Sequence, residues 1–237
     1  MAAKKPKERI NSMQSINKVF QMVKDFTTGH GSGYKLHISK GNTKLGAIAN
    51  VSLPPVVTCH NCSNCKQYCY AVRSYHRAEN VNYAWNDNYM YFLNDPSGYF
   101  NDISKAVKRK RFFRWHVSGD IVNGAYLAGM ITVAQANPKC HFLAFTKAYQ
   151  IVNQAIDNGA IIPANLHLLF SAAPGNDMPN PHGLPECHIN FEDPAKNTYK
   201  GGAEYEYHCT GNCTECAVNC CGCFFLHNGD VTIINQH

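Results

Sequence analysis

The segment FFRWHVSGDIVNGAYLAGMITVAQANPKCHFLAFT, residues 112–146, contains one complete strand–helix–strand unit. Apolar and aromatic residues crowd 112–117 and 141–146, and an apolar stretch of helical length lies between them near 122–136. A short polar turn, Ser-Gly-Asp, separates the first strand from the helix. Two strands joined through a helix in this way run parallel, because the crossover returns the chain to the same edge of the sheet.

The alternation of strand and helix continues after this unit. A helix is predicted near 149–158 and a strand at 166–171, which ends in a turn of small residues. Repeated units of this kind place successive strands side by side with right-handed crossovers. We therefore expect an α/β fold in which parallel β/α repeats form a partial or complete barrel. An open, doubly wound sheet is the main competing arrangement.

Helices and short strands are also predicted ahead of the repeats. Apolar residues recur at helical spacing over 11–26, with Met13, Ile16 and Phe20 on the predicted inner face. Two short strands are expected near 35–39 and 46–51, and helices over 70–93 and 97–110.

The chain has 237 residues, which is the size of one large domain or two small ones. We expect a disordered basic arm over 1–10 and a single α/β domain over 11–237. Residues 174–208 look like an irregular, proline-rich excursion. The cysteine-rich tail at 209–223 is expected to pack against the barrel, and 224–235 to form a last strand.

Composition excludes several classes of protein. Hydrophobic residues make up 45% of the chain and charged residues only 16%, which excludes a disordered chain. No apolar run approaches the roughly 20 residues that span a bilayer, so we expect no membrane partner. The N-terminal MAAKKPKERI lacks the apolar core of a secretory signal, which favours the cytoplasm. Thiols stay reduced there, so grouped cysteines are more often metal ligands than disulfides.

The first group of cysteines follows the strand expected at 46–51. Cys59, Cys62, Cys65 and Cys69 have the spacing C-x2-C-x2-C-x3-C, which is that of bacterial ferredoxins. Structural zinc sites usually combine two pairs of ligands from separated segments. Four cysteines so close together therefore favour an iron–sulfur cluster of the [4Fe–4S] type.

The second group lies in the tail, where one of the adjacent Cys220 and Cys221 cannot readily face the same cluster as the other. The predicted ligands in the tail are Cys209, Cys213, Cys216, Cys220 and Cys223.

Three arrangements of the two groups fit this pattern. They could share one cluster, or each could hold a cluster of its own. In the third arrangement the first group holds iron and the tail binds zinc. Cys140 and Cys187 stand alone, and Cys140 is interpreted as a small core residue.

Polar residues follow the predicted strands and should meet at one mouth, as the loops of a β/α barrel do. Ser118, Gly119 and Asp120 are the predicted cofactor-binding residues. Asp120 is a candidate to hydrogen-bond a ligand amine or ribose, and a helix cap or turn residue is the alternative. Lys147 and the turn at 171–175 follow the next two strands in the same way.

Two further features carry weaker hypotheses. His116 lies in a strand, where a satisfied core histidine is commoner than a functional one. The basic run 108–111, with Arg114 beyond it, could contact a nucleic-acid backbone. A solvated helix end, whose positive charge complements the helix dipole, is the preferred interpretation of this run.

Several stretches together resemble a family encoded largely by bacteriophages and known as gene product 88 proteins. The resemblance covers most of residues 44–175 and the tail. It rests on Ser52-Leu53-Pro54-Pro55, Thr58-Cys59, Cys65, Cys69-Tyr70-Ala71, Ser74-Tyr75, Arg114-Trp115-His116-Val117-Ser118-Gly119-Asp120 and Cys223-Phe224.

This resemblance implies a viral, cytoplasmic protein whose activity is not established. It also implies that Cys59, Cys65 and Cys69 are the positions shared with the family and that Cys62 is an addition. The placement of a cysteine loop before a helix is similar to that in radical S-adenosylmethionine barrels. The spacing Cys209-x3-Cys213-x2-Cys216 is also that of their cluster motif. Both features imply S-adenosylmethionine as a candidate cofactor.

Three functions are therefore open from the sequence. The leading one is an iron–sulfur protein, related in fold and in chemistry to the radical S-adenosylmethionine enzymes, that acts on an unknown small molecule. The second is an electron-transfer protein with a redox partner, which full cysteine ligation would favour. The third is a zinc-stabilised nucleic-acid-binding module that uses the basic run, and it is not favoured.

Overall fold

A computed structural model describes residues 11–29, 33–63, 65–191, 193–219 and 221–235. The predicted arm at 1–10 and the predicted ligand Cys220 lie outside this part of the chain. The helices are α1 (Met13–Gly29), α2 (Cys65–Tyr68), α3 (Tyr70–Arg77), α4 (Glu79–Asn94), α5 (Pro96–Val107), α6 (Gly124–Ala136), α7 (Tyr149–Asp157) and α8 (Cys213–Val218). The strands are β1 (Ala49–Val51), β2 (Phe112–Trp115), β3 (His141–Thr146), β4 (Leu166–Ser171), β5 (Glu186–Asn190), β6 (Glu206–His208) and β7 (Val231–Asn235).

The strands form one seven-stranded sheet in the order β1-β2-β3-β4-β5-β7-β6, and every pair is parallel. The first five strands follow chain order, which is the winding of a barrel and differs from the reversed order of a doubly wound sheet. The predicted parallel α/β architecture is therefore confirmed. Within the described residues the hydrogen-bonded order begins at β1 and ends at β6.

The two faces of the sheet carry different partners because successive strand residues point in opposite directions. Phe113 and Trp115 of β2 pack against the core of α5, α6 and α7, and we call this side the helix face. Phe112 points to the other side, where it meets Phe224 of the tail at 5.1 Å between ring centroids. We call this second side the tail face. Its apolar core includes Leu143 and Leu169.

Local signals place the crossover helices. Asp95 caps α5, since its side chain accepts a hydrogen bond from the amide of Gly98 at 2.8 Å, and Pro96 occupies the first turn. Asn123 caps α6 in the same way, and it accepts from the amide of Tyr126 at 2.9 Å. The exposed basic run at 108–111 follows the end of α5, as the preferred interpretation predicted.

The N-terminal helix is present but its buried face differs from the prediction. Ile16, Val19 and Val23 of α1 are buried against α3, whereas Met13 and Phe20 are about half exposed. The predicted inner face was wrong at these two positions. Apolar residues occur on two sides of the helix, so the sequence pattern allows two different buried faces.

Three other expectations need correction. The strand expected near 35–39 is only an isolated bridge between Ser39 and Asn50. The helix over 70–93 is interrupted at Ala78. Residues 174–208, predicted to be irregular, contain β5 and β6. None of the helices in the described ranges has the length and apolar character to cross a membrane.

Candidate metal centre

The first cysteine group lies in a loop over residues 58–69, which we call the cysteine loop, directly after β1. This loop crosses the carboxyl edge of the sheet and is tied to the loops of three further strands. The ring Nε2 of His60 lies 2.9 Å from the carbonyl oxygen of Val122, beyond β2. The Asn61 amide donates to the carbonyl of Lys147, after β3, at 2.6 Å. Asn176, after β4, donates to the carbonyl of Asn61 at 2.5 Å. The predicted mouth therefore exists, and the cysteine loop covers it.

The four thiols of this loop share one electrostatic environment. The side chains of Cys59 and Cys62 hydrogen-bond each other, which raises the pKa of Cys59 well above its usual range and lowers the pKa of Cys62 to about 7. Burial raises the pKa of Cys65. Burial, followed by the neighbouring Cys65, raises the pKa of Cys69 to about 11. Three of the four thiols are therefore harder to ionise than a free cysteine, whereas Cys62 is easier to ionise.

A partly buried lysine, Lys147, lies at this mouth. Burial lowers the pKa of Lys147, whereas the negative charges of Cys65 and Asp120 raise it. The net shift of the pKa is upward, so the amine stays charged. Its Nζ donates to the hydroxyl of Ser171 at 2.9 Å. Cys187 also raises this pKa. A fixed positive charge therefore lies beside the cysteine loop.

Asp120 is buried and its carboxylate is fully used inside the protein. One oxygen accepts from the hydroxyl of Thr146 at 2.6 Å and from the amide of Ile121 at 2.7 Å. The other accepts from the amide of Lys147 at 2.8 Å. Burial raises the pKa of this carboxyl, and the three hydrogen bonds oppose the shift. Asp120 thus joins the loop after β2 to the end of β3, and its contact with a ligand stays a prediction.

The other two predicted cofactor-binding residues border the same loop. Gly119 has a φ of 81°, and a Cβ there would stand 2.6 Å from the hydroxyl oxygen of Thr58, the residue before Cys59. Only glycine permits both this backbone conformation and this close approach. The Ser118 hydroxyl is buried without a hydrogen-bond partner among the described residues. Ser118 and Gly119 therefore adjoin the candidate metal centre, and their role as ligand contacts stays a prediction.

His116 belongs to the helix face and not to the mouth. Its Nε2 lies 3.1 Å from the hydroxyl of Tyr126, and burial, followed by Arg114, lowers its pKa to about 3. It is therefore a neutral core histidine at neutral pH. Its φ of 54° turns the chain out of β2 into the Ser-Gly-Asp loop.

The tail cysteines lie on the tail face of the sheet. The thiol of Cys216 is 2.8 Å from the hydroxyl of Tyr207 in β6. The amide of Gly211 donates to the sulfur of Cys209 at 3.3 Å. Burial raises the pKa of Cys213 and raises the pKa of Cys223 to about 12. Four of the five predicted tail ligands are thus gathered on one surface, and the fifth, Cys220, is outside the described residues.

Sequence reasoning missed Cys187. This residue lies in β5, faces the tail cysteines and is 2% exposed. Its segment was predicted to be irregular, so no strand alternation was available to show which way its side chain points. Cys140, the other solitary cysteine, is 1% exposed in the core of the helix face, as predicted.

The iron–sulfur cluster expected at the cysteine loop stays a prediction. Across 11–29, 33–63, 65–191, 193–219 and 221–235, no three His, Cys, Asp or Glu side chains converge closely enough to hold one metal ion. All the protein ligands of an iron–sulfur cluster can be thiolates, and the cysteine loop supplies four partly buried cysteines near Lys147.

Comparison with known proteins gave one match. The model of the family described as gene product 88 matches residues 28–225, which is 198 of the 237 residues. The match contains the cysteine loop, the Ser-Gly-Asp loop and the tail cysteines. The chain matched no curated protein and no solved structure.

Proposed function

This chain belongs to the gene product 88 family, and we propose that it is an iron–sulfur protein with a redox function. Its cluster, of the [4Fe–4S] type, is held by Cys59, Cys62, Cys65 and Cys69 of the cysteine loop. The proposal places the protein in the cytoplasm of an infected cell, where these thiols stay reduced until the cluster is inserted.

The observation that carries the proposal is the grouping of four partly buried cysteines in one loop beside the partly buried, charged Lys147. Thiolates are the ligands of iron–sulfur clusters, and a cluster with four thiolates carries net negative charge. The ammonium group of Lys147 offsets part of that charge. A nearby positive charge favours the more negative, reduced state and therefore raises the reduction potential.

Full ligation by the cysteine loop favours electron transfer over chemistry at an open iron. Four cysteines supply one ligand for each iron of the cluster. Both carboxylate oxygens of Asp120 accept hydrogen bonds from groups within the protein. The partner of such a site is an electron donor or acceptor that docks over the cysteine loop.

The first experiment measures the iron and sulfide content of protein purified without oxygen. We expect brown protein with about four irons and four acid-labile sulfides for the cluster at the mouth. Cys69→Ala should lose that iron, because it removes one of the four thiolates that hold the cluster. Cys140→Ala is the matched control and should keep its iron. Colourless protein with zinc alone would refute the proposal, as would bleaching by Cys140→Ala but not by Cys69→Ala.

S-adenosylmethionine chemistry is the second candidate function. The cysteine loop directly follows β1, the first strand of a sheet wound in chain order, which is where the radical S-adenosylmethionine enzymes carry their motif. Similarity of fold alone does not establish this chemistry. If Cys62 is not a ligand, one iron is open to the cofactor. Reduced protein should then cleave S-adenosylmethionine to 5′-deoxyadenosine and change its electron paramagnetic resonance spectrum. If the cluster is intact and reducible but shows neither cleavage nor a spectral change, electron transfer remains the proposed function.

A further inference from the structure

Cys187 stands in a row of side chains that crosses the tail face. In the sheet register, Ser171 of β4 pairs with Cys187 of β5, and Cys187 pairs with Thr232 of β7. Thr232 pairs in turn with Tyr207 of β6. Register partners on parallel strands point to the same side and lie about 4.8 Å apart. The four side chains therefore form one continuous line.

The tail cysteines are attached to this row. The thiol of Cys223 donates to the hydroxyl of Thr232 at 3.6 Å, so Cys223 lies over the strand next to Cys187. Tyr207 lies one strand further, and its hydroxyl oxygen is 2.8 Å from the sulfur of Cys216. Cys216 is thus turned toward β6, whereas Cys223 is turned toward Cys187.

Cys209 is fixed at the end of the same strands. Its amide donates to the carbonyl of Ile233 in β7 at 2.8 Å, which continues the pairing of β6 with β7. Its sulfur accepts the amide of Gly211 at 3.3 Å. A hydrogen bond from a backbone amide to sulfur stabilises the thiolate and orients it, as the outer hydrogen bonds of metal ligands do.

Cys213 lies on the same side of the sheet. Cys213 and Cys223 both pack against the apolar core of the tail face, which contains Leu143 and Leu169. Cys213 therefore shares the tail face with Cys187 and Cys223.

We propose that Cys187 ligates a second iron–sulfur cluster, held together with Cys209, Cys213 and Cys223 on the tail face. This inference rests on the proposed function, because it assigns the ligands of a further cluster in the same iron–sulfur protein. We leave Cys216 out of the ligand set because its thiol lies beside Tyr207, on the β6 side of the row and away from Cys187.

Lys147 relates the two clusters. Its backbone carbonyl accepts a hydrogen bond from Asn61 of the cysteine loop at 2.6 Å, and its Nζ donates to Ser171, the register partner of Cys187. The two clusters are therefore separate sites that share one cation.

The test compares Cys187→Ser with Cys140→Ser, since both cysteines are buried and solitary in sequence. Wild-type protein purified without oxygen should contain about eight irons and eight sulfides. Cys187→Ser should fall to about four of each and keep the resonance signal of the cluster at the mouth. Cys140→Ser and Cys216→Ser should keep about eight.

Several outcomes would overturn the inference while the proposed function stands. These are a wild-type content of four irons, a tail filled by zinc, and a Cys187→Ser protein that keeps all eight irons. Absence of iron from wild-type protein would instead remove the proposed function itself.

If Cys187→Ser does not fold, Cys187→Ala replaces it, because alanine removes the sulfur without placing a hydroxyl in the buried site. Cys187→Ala should contain about four irons, and the matched Cys140→Ala should contain about eight. A folded Cys187→Ala protein that keeps eight irons would overturn the assignment.

Discussion

Substitution of Gly119 by alanine should destabilise the protein well beyond the usual cost of such a change. Gly119 has a φ of 81°, and an added Cβ would lie 2.6 Å from the Thr58 hydroxyl and 2.7 Å from the Cβ of Leu53. The left-handed conformation alone costs a non-glycine residue about 1–2 kcal/mol. Forcing a methyl group into this packed contact adds about 1–3 kcal/mol. The expected loss of unfolding free energy is therefore about 2–5 kcal/mol.

Gly159 provides the matched control. Its φ is 87°, close to that of Gly119, but nothing lies within 4 Å of the position of its added Cβ. Gly159→Ala should therefore cost only the backbone contribution of about 1–2 kcal/mol. The difference between the two variants isolates the close approach of the loop after β2 to the cysteine loop.

Urea unfolding of the metal-free, reduced proteins measures both free energies, and iron content after anaerobic purification measures the effect on the site. Gly119→Ala should also lower the iron content, because the clash displaces Thr58 and with it Cys59. Equal destabilisation by the two substitutions would refute the reasoning, because it would mean that Thr58 and Leu53 move away from the added methyl group at no cost in free energy.

Two further substitutions test the polar core. The pKa of His116 is lowered to about 3 in the folded protein, against about 6.5 in the unfolded chain. The stability of the wild-type protein is therefore fully present above pH 6.5 and falls by up to about 4–5 kcal/mol as the pH approaches 3. His116→Asn, which tolerates positive φ, should flatten this dependence in urea titrations of metal-free protein between pH 6 and 4, and an unchanged slope would contradict the assignment. Asp120→Ala leaves three donors without an acceptor and should lower the unfolding free energy by about 3–5 kcal/mol. The control Asp157→Ala removes an exposed carboxylate and should cost less than about 1 kcal/mol. Similar losses for the two variants would contradict the bridging role of Asp120.

The sequence predicted the repeats well because their signals are local. The strands β2, β3 and β4 alternate with helices of ordinary length, and the right-handed crossover rule then orders the strands. The meeting of Lys147 with the cysteine loop also follows from that rule, since loops at the carboxyl ends of parallel strands share one edge.

What the sequence could not predict depends on contacts between distant segments. The strand β5 is short and follows a proline-rich stretch, and its pairing with β7 is made more than 40 residues away along the chain. The orientation of Cys187 depends on that pairing and so could not be predicted. The saturation of Asp120 depends likewise on Thr146 and Lys147. A loop acid looks the same in sequence whether it faces a ligand or the interior.

The order β5-β7-β6 has a consequence for synthesis of the protein on the ribosome. β7 at Val231–Asn235 lies between two strands that are both made before it, and β6 joins the sheet through β7. Translation adds about 5–20 residues per second, so β6 waits on the order of seconds for its partner. During that interval the tail thiols are already made but have no completed sheet to lie on. Assembly of this part of the molecule therefore follows the synthesis of β7.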